Sequence, residues 1–143
     1  MSDFIISIRP RYGEVDRMGV VYHAHHLAYF DKGRTEYLRS LGLPYASLED
    51  RGCLLAVVEA KVQYLLPSHY DEELSLAVRL DHFGKASITF SYILKDSDDI
   101  PRATGMTRLG CLDPQMKPTG FPPDVLDLLQ QGRDSTEISS NTP

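Results

Sequence analysis

The chain has 143 residues, of which 42% are hydrophobic and 24% are charged. This composition is typical of one globular domain, and the net charge of −5 gives no reason to expect nucleic-acid binding. No apolar run approaches the roughly 20 residues that a membrane span needs. Two cysteines, Cys53 and Cys111, have the spacing of neither a disulfide framework nor a metal site. Without the basic and apolar segments of a secretory signal, the start of the chain leads us to expect a cytoplasmic protein.

The first half of the chain predicts a strand and a long helix. Residues 4–8 alternate in polarity like a strand. Between residues 24 and 41 large side chains recur at the spacings of one helix face, which consists of Leu27, Phe30, Arg34, Tyr37, Leu38 and Leu41. The stem of Arg34 is expected to lie along this face with its charged head at the edge. Gly42 and Pro44 end the helix, and a short helical turn follows at residues 45–50.

The second half of the chain predicts four strands. Hydrophobic residues alternate with polar ones in residues 58–66, 74–81, 87–94 and 103–112. In the first of these, the side expected to face the core consists of Val58, Ala60, Val62, Tyr64 and Leu66. The connections are too short for helical crossovers, so the sheet should be antiparallel.

These elements predict an α+β fold in which one long helix is wrapped by a curved, five-stranded antiparallel sheet. A short last helix is predicted to end at Leu129. We therefore expect a single domain over residues 1–129, followed by a disordered polar tail at residues 130–143.

The loop at residues 13–26 contains the most informative pattern. It delivers the carboxylate of Asp16, passes through Gly19 and enters the long helix, with no Ser, Thr, Asp or Asn between Tyr22 and His26 to cap it. The first amides of the helix therefore lack side-chain partners and can hold an anion or a developing oxyanion. If the loop folds back, Asp16 can attack a carbonyl at that point or activate a water. A thioester is the favoured electrophile, because a thiolate departs without a strong general acid.

The loop and helix resemble those of the hotdog-fold acyl-CoA thioesterases, in the motif Asp16-x-x-Gly19-Val20-Val21-Tyr22-His23 followed by Phe30-x-x-x-Arg34-Thr35-Glu36-Tyr37-Leu38-Arg39. Within that fold, the likeness is to the 4-hydroxybenzoyl-CoA thioesterase branch and its YbgC-type relatives. The resemblance implies a homodimer or homotetramer with active sites at the dimer interface. It also implies that Asp16 is the catalytic carboxylate and that the backbone N–H of His23 forms the oxyanion hole.

Further site residues follow from the same resemblance. Relatives often hold Asn where this chain has His25, which makes His25 an additional catalytic candidate, and Gly19 and Tyr22 are candidates for substrate binding. Relatives meet the phosphates of coenzyme A with basic residues between the third and fourth strands, where Lys85 matches. The three histidines within residues 23–26 do not converge on one side of a helix, so neither a metal nor another cofactor is expected.

The sequence therefore predicts an enzyme that hydrolyses an acyl- or aroyl-CoA thioester to the free acid and coenzyme A. Asp16 acts as nucleophile or as general base, and an acyl carrier protein thioester is an alternative donor. A hydratase on the same fold and a non-catalytic acyl-binding module are the competing hypotheses. The presence of both Asp16 and Gly19 favours the enzyme, since a binding module needs no carboxylate beside an oxyanion site.

Overall fold

The computed structural model describes residues 4–140, with side chains up to residue 134. The elements, in chain order, are β1 (Phe4–Ile8), a 3-10 turn (Tyr12–Glu14), α1 (His25–Ser40), α2 (Tyr45–Asp50), β2 (Leu54–Tyr64), β3 (Leu74–Phe83), β4 (Ser87–Lys95), β5 (Pro101–Leu112) and α3 (Pro123–Ser140). The strands form one five-stranded sheet in the order β1-β3-β4-β5-β2, and every pair is antiparallel. The predicted α+β hotdog fold is confirmed.

Helix α1 packs its apolar face on the concave side of the sheet. The ring of Phe30 stacks on that of Tyr92, with centroids 4.4 Å apart and planes 3° from parallel. At Gly33 a Cβ would come within 2.6 Å of Leu76 Cδ2 and 2.7 Å of Val78 Cγ2. Glycine at this position therefore lets the helix lie directly against β3.

Two predictions about the buried face of α1 were wrong. Leu27 is 40% exposed, because the face that meets the core begins at His26 and continues at Tyr29 and Phe30. Arg34 is only 5% exposed, so its charged head does not lie at the edge of that face. Its Nε donates to the Tyr45 hydroxyl over 2.8 Å, which supplies a partner to the buried guanidinium.

Strand β2 leaves exposed most of the side that was expected to face the core, and of that side Val62 packs partly against the core. It pairs only with β5 and forms an edge of the sheet, and its alternation is interrupted by a register shift between Val57 and Glu59. Val58 is 55% exposed and Tyr64 49% exposed, so their prediction as core residues was wrong. The edge strand thus presents apolar side chains that the described part of the chain leaves uncovered.

The last helix was predicted to end at Leu129, but α3 continues to Ser140. Near the start of this extension Gly132 packs closely, since a Cβ there would meet Leu41 Cδ2 at 2.7 Å and the Tyr37 hydroxyl at 3.0 Å. This close contact docks the polar end of α3 on the end of α1. The last part of the predicted tail, residues 141–143, lies outside the described residues.

The two cysteines are buried side by side, Cys53 directly before β2 and Cys111 within β5. The Sγ atoms of Cys53 and Cys111 lie 2.9 Å apart, and both residues are at most 2% exposed. Burial, together with the contact to Cys111, raises the pKa of the Cys53 thiol to about 12. The Cys53 thiol therefore remains protonated at neutral pH, and both cysteines pack as small apolar side chains.

Candidate active site

Asp16 begins a tight turn that precedes α1. The amide of Asp16 donates to the carbonyl of Val20 over 2.8 Å, and the amide of Gly19 donates to the carbonyl of Asp16 over 2.9 Å. Gly19 has φ +76°, a left-handed conformation that glycine adopts without steric cost. Val15 and Val21 pair on either side of the turn. The predicted substrate-binding Gly19 therefore shapes the turn and is not part of the pocket wall.

The carboxylate of Asp16 is fixed through one of its oxygens. Its Oδ1 accepts from the amide of Met18 over 2.8 Å and from that of Val20 over 3.3 Å. Within residues 4–134, Oδ2 has no hydrogen-bond partner. One oxygen therefore holds the side chain in place, while the other is available to a ligand.

A second anchor holds the chain between this turn and the helix. The amide of Tyr22 donates to the carbonyl of Glu14 over 2.9 Å. The carboxylate of Glu14 in turn accepts from the Tyr29 hydroxyl over 2.9 Å and from the Arg11 amide over 2.8 Å. Burial, followed by this contact with Glu14, raises the pKa of Tyr29, so the phenol remains a donor at neutral pH. These bonds attach the loop to the middle of α1.

Helix α1 begins without a capping side chain, as the sequence predicted. Ala24 is the residue before the first helical turn, and it offers no side-chain hydrogen bond. The amide of His25 donates to the carbonyl of Tyr22 over 2.9 Å. In the described part of the chain, no partner exists for the amides of His23 and Ala24. They lie at the positive end of the helix dipole, where an anion is favoured.

Two side chains hold the carbonyl of His23. The Tyr64 hydroxyl donates to it over 2.8 Å, and Nδ1 of His26 lies 3.0 Å from it. The ring of His26 meets that of Tyr64 edge to face, with centroids 4.9 Å apart. Burial lowers the pKa of His26, which keeps its imidazole neutral at pH 7.

These groups surround a pocket of about 400 Å³. The turn and the helix start contribute Asp16, residues 20–23 and His26, and the end of β2 with its connection to β3 contributes residues 64–68. Most of the second wall is apolar, whereas Asp16 and the free amides provide the polar side. The pocket can therefore hold an apolar chain that ends in a polarised carbonyl.

The pocket brings together three of the predicted site residues, Asp16, Tyr22 and His23. Its lining includes neither His25 nor Lys85. His25 is half-buried, with its ring centroid 6.2 Å from that of Tyr22. Lys85 is exposed on the hairpin between β3 and β4, where its carbonyl accepts from the amide of Phe121 over 2.8 Å.

Three further residues of the pocket lining with polar side chains were not identified from the sequence as site residues, namely His26, Tyr64 and Ser68. His26 is one turn along the helix from His23, a spacing that does place both on one face. Tyr64 gave no signal, because its alternation pattern predicted a core position. Ser68 is 1% exposed, and within the described residues its hydroxyl lacks a hydrogen-bond partner. A single serine in a connection carries no sequence signal for such a position.

In residues 4–134 no group of three or more His, Cys, Asp and Glu side chains could hold a metal ion. None of the helices in the described part of the chain has the length and apolar character required to cross a bilayer.

Known proteins are similar to this chain in both sequence and fold. The sequence profile of the Thioesterase-like superfamily matches residues 10–129. The acyl-CoA thioesterase YbgC of Haemophilus influenzae is 31% identical over 127 residues, which cover 87% of this chain and 92% of that protein. The crystal structure of a hypothetical protein from Aquifex aeolicus has a TM-score of 0.83 and 32% identity, covering 88% of this chain and 98% of the other. The DHNA-CoA thioesterase from Staphylococcus aureus has a TM-score of 0.86 and 25% identity, covering 94% and 93%.

Fold and sequence together define a hotdog-fold thioester hydrolase, the class of enzyme that the sequence predicted. The chain belongs to the Thioesterase-like superfamily, whose profile spans the turn, the pocket and the four strands β2 to β5.

Proposed function

We propose that the protein is an acyl-CoA thioesterase that converts an acyl- or aroyl-CoA to the free acid and coenzyme A. The observation that carries this proposal is the shared pocket of a carboxylate with one free oxygen, on Asp16, and an uncapped helix start at His23. The names of the acyl-CoA thioesterase YbgC and the DHNA-CoA thioesterase support a coenzyme A thioester as substrate. Such a substrate is consistent with the cytoplasmic location expected from the sequence.

In the proposed reaction, the thioester oxygen accepts a hydrogen bond from the His23 amide, which stabilises the oxyanion as it forms. Asp16 acts in one of two ways. Its free oxygen attacks the carbonyl carbon, the C–S bond breaks, and water then hydrolyses the mixed anhydride. Alternatively, the carboxylate takes a proton from a water molecule that attacks the same carbon. Coenzyme A leaves as the thiolate in both routes.

The acyl group is placed against the apolar wall formed by Tyr64, Leu65 and Leu66, with Tyr22 at its entrance. His25 and Lys85 keep the roles that the resemblance implies, in catalysis and in contact with the phosphates of coenzyme A. Neither lines the pocket of a single chain, so both roles depend on the neighbouring subunit or on the extended cofactor arm of the substrate.

Self-association is part of the proposal. Strand β2 is an edge of the sheet, and its Val57 and Val58 are 52% and 55% exposed. At the end of the strand, Leu65 and Leu66 are 45% and 49% exposed while lining the pocket. A second copy packed on this edge would cover these side chains and enclose the acyl site. The assembly is a homodimer or a homotetramer, and light scattering that finds a stable monomer would contradict it.

The test is thiol release from a panel of short, long and aromatic CoA esters by the wild-type protein and by Asp16→Asn. We expect kcat to fall by a factor of about 100 or more, because the amide can neither attack nor take a proton. Asp113→Asn is the matched control, since Asp113 Oδ1 also accepts from the amides two and four residues later. It should retain full activity.

The outcomes of this test separate the hypotheses. Full turnover by Asp16→Asn would remove the proposed mechanism. Tight binding of CoA esters without any release of thiol by the wild-type protein would instead favour the non-catalytic binding module.

A further inference from the structure

The carbonyl of His23 has more partners than the start of a helix requires. Besides a long bond of 3.4 Å from the His26 amide, it accepts from two side chains, the Tyr64 hydroxyl at the end of β2 and His26 Nδ1 on the first turn of α1. A carbonyl oxygen only accepts hydrogen bonds, so Nδ1 of His26 must carry the hydrogen. Two donors from different elements therefore converge on one backbone atom.

The backbone on the other side of this residue is also held. The amide of Tyr22 is bound to the carbonyl of Glu14 over 2.9 Å. The peptide group that carries the His23 amide thus lies between two fixed points, the Tyr22 amide and the His23 carbonyl. Because each peptide group is planar, holding the His23 carbonyl also sets the direction of the Ala24 amide.

A side-chain cap would usually orient these amides, but the structure has none at Ala24. The contacts of Tyr64 and His26 replace it from the carbonyl side and leave the two N–H groups unoccupied. Donors on a carbonyl also polarise the amide of the same peptide group, which makes it a stronger donor in turn.

We propose that Tyr64 and His26 are positioning residues that hold the oxyanion-binding amides of His23 and Ala24 in their reactive orientation. This inference rests on the proposed thioesterase function. The two side chains do not touch the reacting atoms through these contacts. They act on the backbone amides that contact the reacting oxygen. Their loss should therefore raise the free energy of the transition state and leave the binding of the substrate unchanged.

The experiment compares Tyr64→Phe, His26→Leu and the double variant with the wild-type protein. Tyr64→Phe keeps the ring on the pocket wall and removes only the donor. We expect kcat to fall about tenfold in each single variant and about 100-fold in the double variant, with KM changed less than about twofold. The factor should be the same for two CoA esters of different acyl length, because the oxyanion is common to both.

Two controls separate positioning from general stability. Tyr45→Phe removes the 2.8 Å hydrogen bond between the Tyr45 hydroxyl on α2 and Arg34 Nε on α1, which lies outside the pocket. This variant should leave kcat unchanged. His26→Asn retains an N–H close to the position of Nδ1, so its kcat should remain within about threefold of the wild-type value, unlike that of His26→Leu. The thermal midpoint of every variant verifies that the assays are made on folded protein.

Retention of kcat within twofold by the double variant would overturn the inference. A variant whose KM rises while its kcat is unchanged would also overturn it, as would a fall in kcat that depends on the acyl group. Either result would mean that Tyr64 acts only as a wall of the acyl site. Equal losses in His26→Asn and His26→Leu would show that the donor is not what matters. In each case an inactive Asp16→Asn leaves the proposed function standing, whereas an active one removes it, so the two failures are distinguishable.

Discussion

The turn at Asp16 has the same geometry as the turns at Asp96 and Asp113. In each, the aspartate Oδ1 accepts from the amides two and four residues later, at distances between 2.8 and 3.3 Å. In each, the aspartate amide also donates to the carbonyl four residues later. The three turns are therefore one local structure that the chain uses three times.

The surroundings of the three carboxylates differ. Oδ2 of Asp96 accepts from Arg102 Nε over 3.1 Å, which makes it part of an ion-pair network. The turn at Asp113 connects β5 to the segment before α3, away from the pocket lining. Only the turn at Asp16 opens on the pocket, beside the free amides of α1. A turn of this kind holds a carboxylate still, and its tertiary neighbours decide whether that carboxylate is structural or reactive.

The largest expected effect on stability concerns the turn at Asp96, whose carboxylate belongs to an ion-pair network. Arg102 donates to both oxygens of Glu72 over 2.8 Å, to Asp96 and to the carbonyl of Pro67 over 2.7 Å, and its side chain is 12% exposed. Arg102→Ala should lower the free energy of unfolding by about 2–3 kcal/mol, because two carboxylates and a carbonyl lose their partner. Denaturant titration measures this change.

Arg9→Ala is the control for that variant. Arg9 pairs with Asp71 at 3.7 Å on the surface, with both side chains more than half exposed. Its removal should change the free energy of unfolding by less than about 0.5 kcal/mol. If Arg102→Ala and Arg9→Ala both lower the free energy of unfolding by a similar, small amount, the ion pairs of Arg102 stabilise the turn at Asp96 no more than an exposed ion pair would.

Local patterns in the sequence were sufficient for the presence and the end of helix α1, for the antiparallel sheet and for the uncapped start of α1, but they misplaced Leu27 on the buried helix face. They failed for Tyr64, because alternation within one strand does not reveal which strand lies at the edge of the sheet. They also missed the docking of Gly132, which depends on contacts with Leu41. For the site, no local rule separates Asp16 from Asp113, since their turns are alike. The position of Asp16 before the uncapped helix made it a candidate, the resemblance assigned it the catalytic role, and that role stays a prediction.

A smaller effect is expected when the same ion-pair network is titrated. The hydrogen bond from Arg102 lowers the pKa of Glu72 from its usual 4.5 to about 2. The folded protein therefore holds fewer protons on this group than the unfolded chain does. Its contribution to stability is complete above about pH 4.5 and is lost as the pH falls towards 2.

Unfolding measured between pH 5 and pH 2 tests this. Glu72→Gln should show a shallower loss of stability with acid than the wild-type protein. Glu73→Gln changes the exposed neighbouring carboxylate and should follow the wild-type curve. Parallel curves for Glu72→Gln and the wild type would show that the Arg102 contact does not control this carboxylate.

The smallest expected effect concerns the left-handed residue of each turn. That position is Gly19 in the first turn, with φ +76°, and Asp99 and Met116 in the other two, each with φ +66°. Since two residues with side chains adopt the conformation, and a Cβ at Gly19 would meet nothing within 4 Å, Gly19→Asn should cost less than about 1 kcal/mol of unfolding free energy. A cost above 2 kcal/mol would show that the turns are not equivalent.

With stability preserved, kcat/KM of Gly19→Asn for CoA esters then tests the predicted role of Gly19 in substrate binding. A fall of about tenfold would mean that the substrate passes over this position, and an unchanged value would restrict glycine here to the shape of the turn.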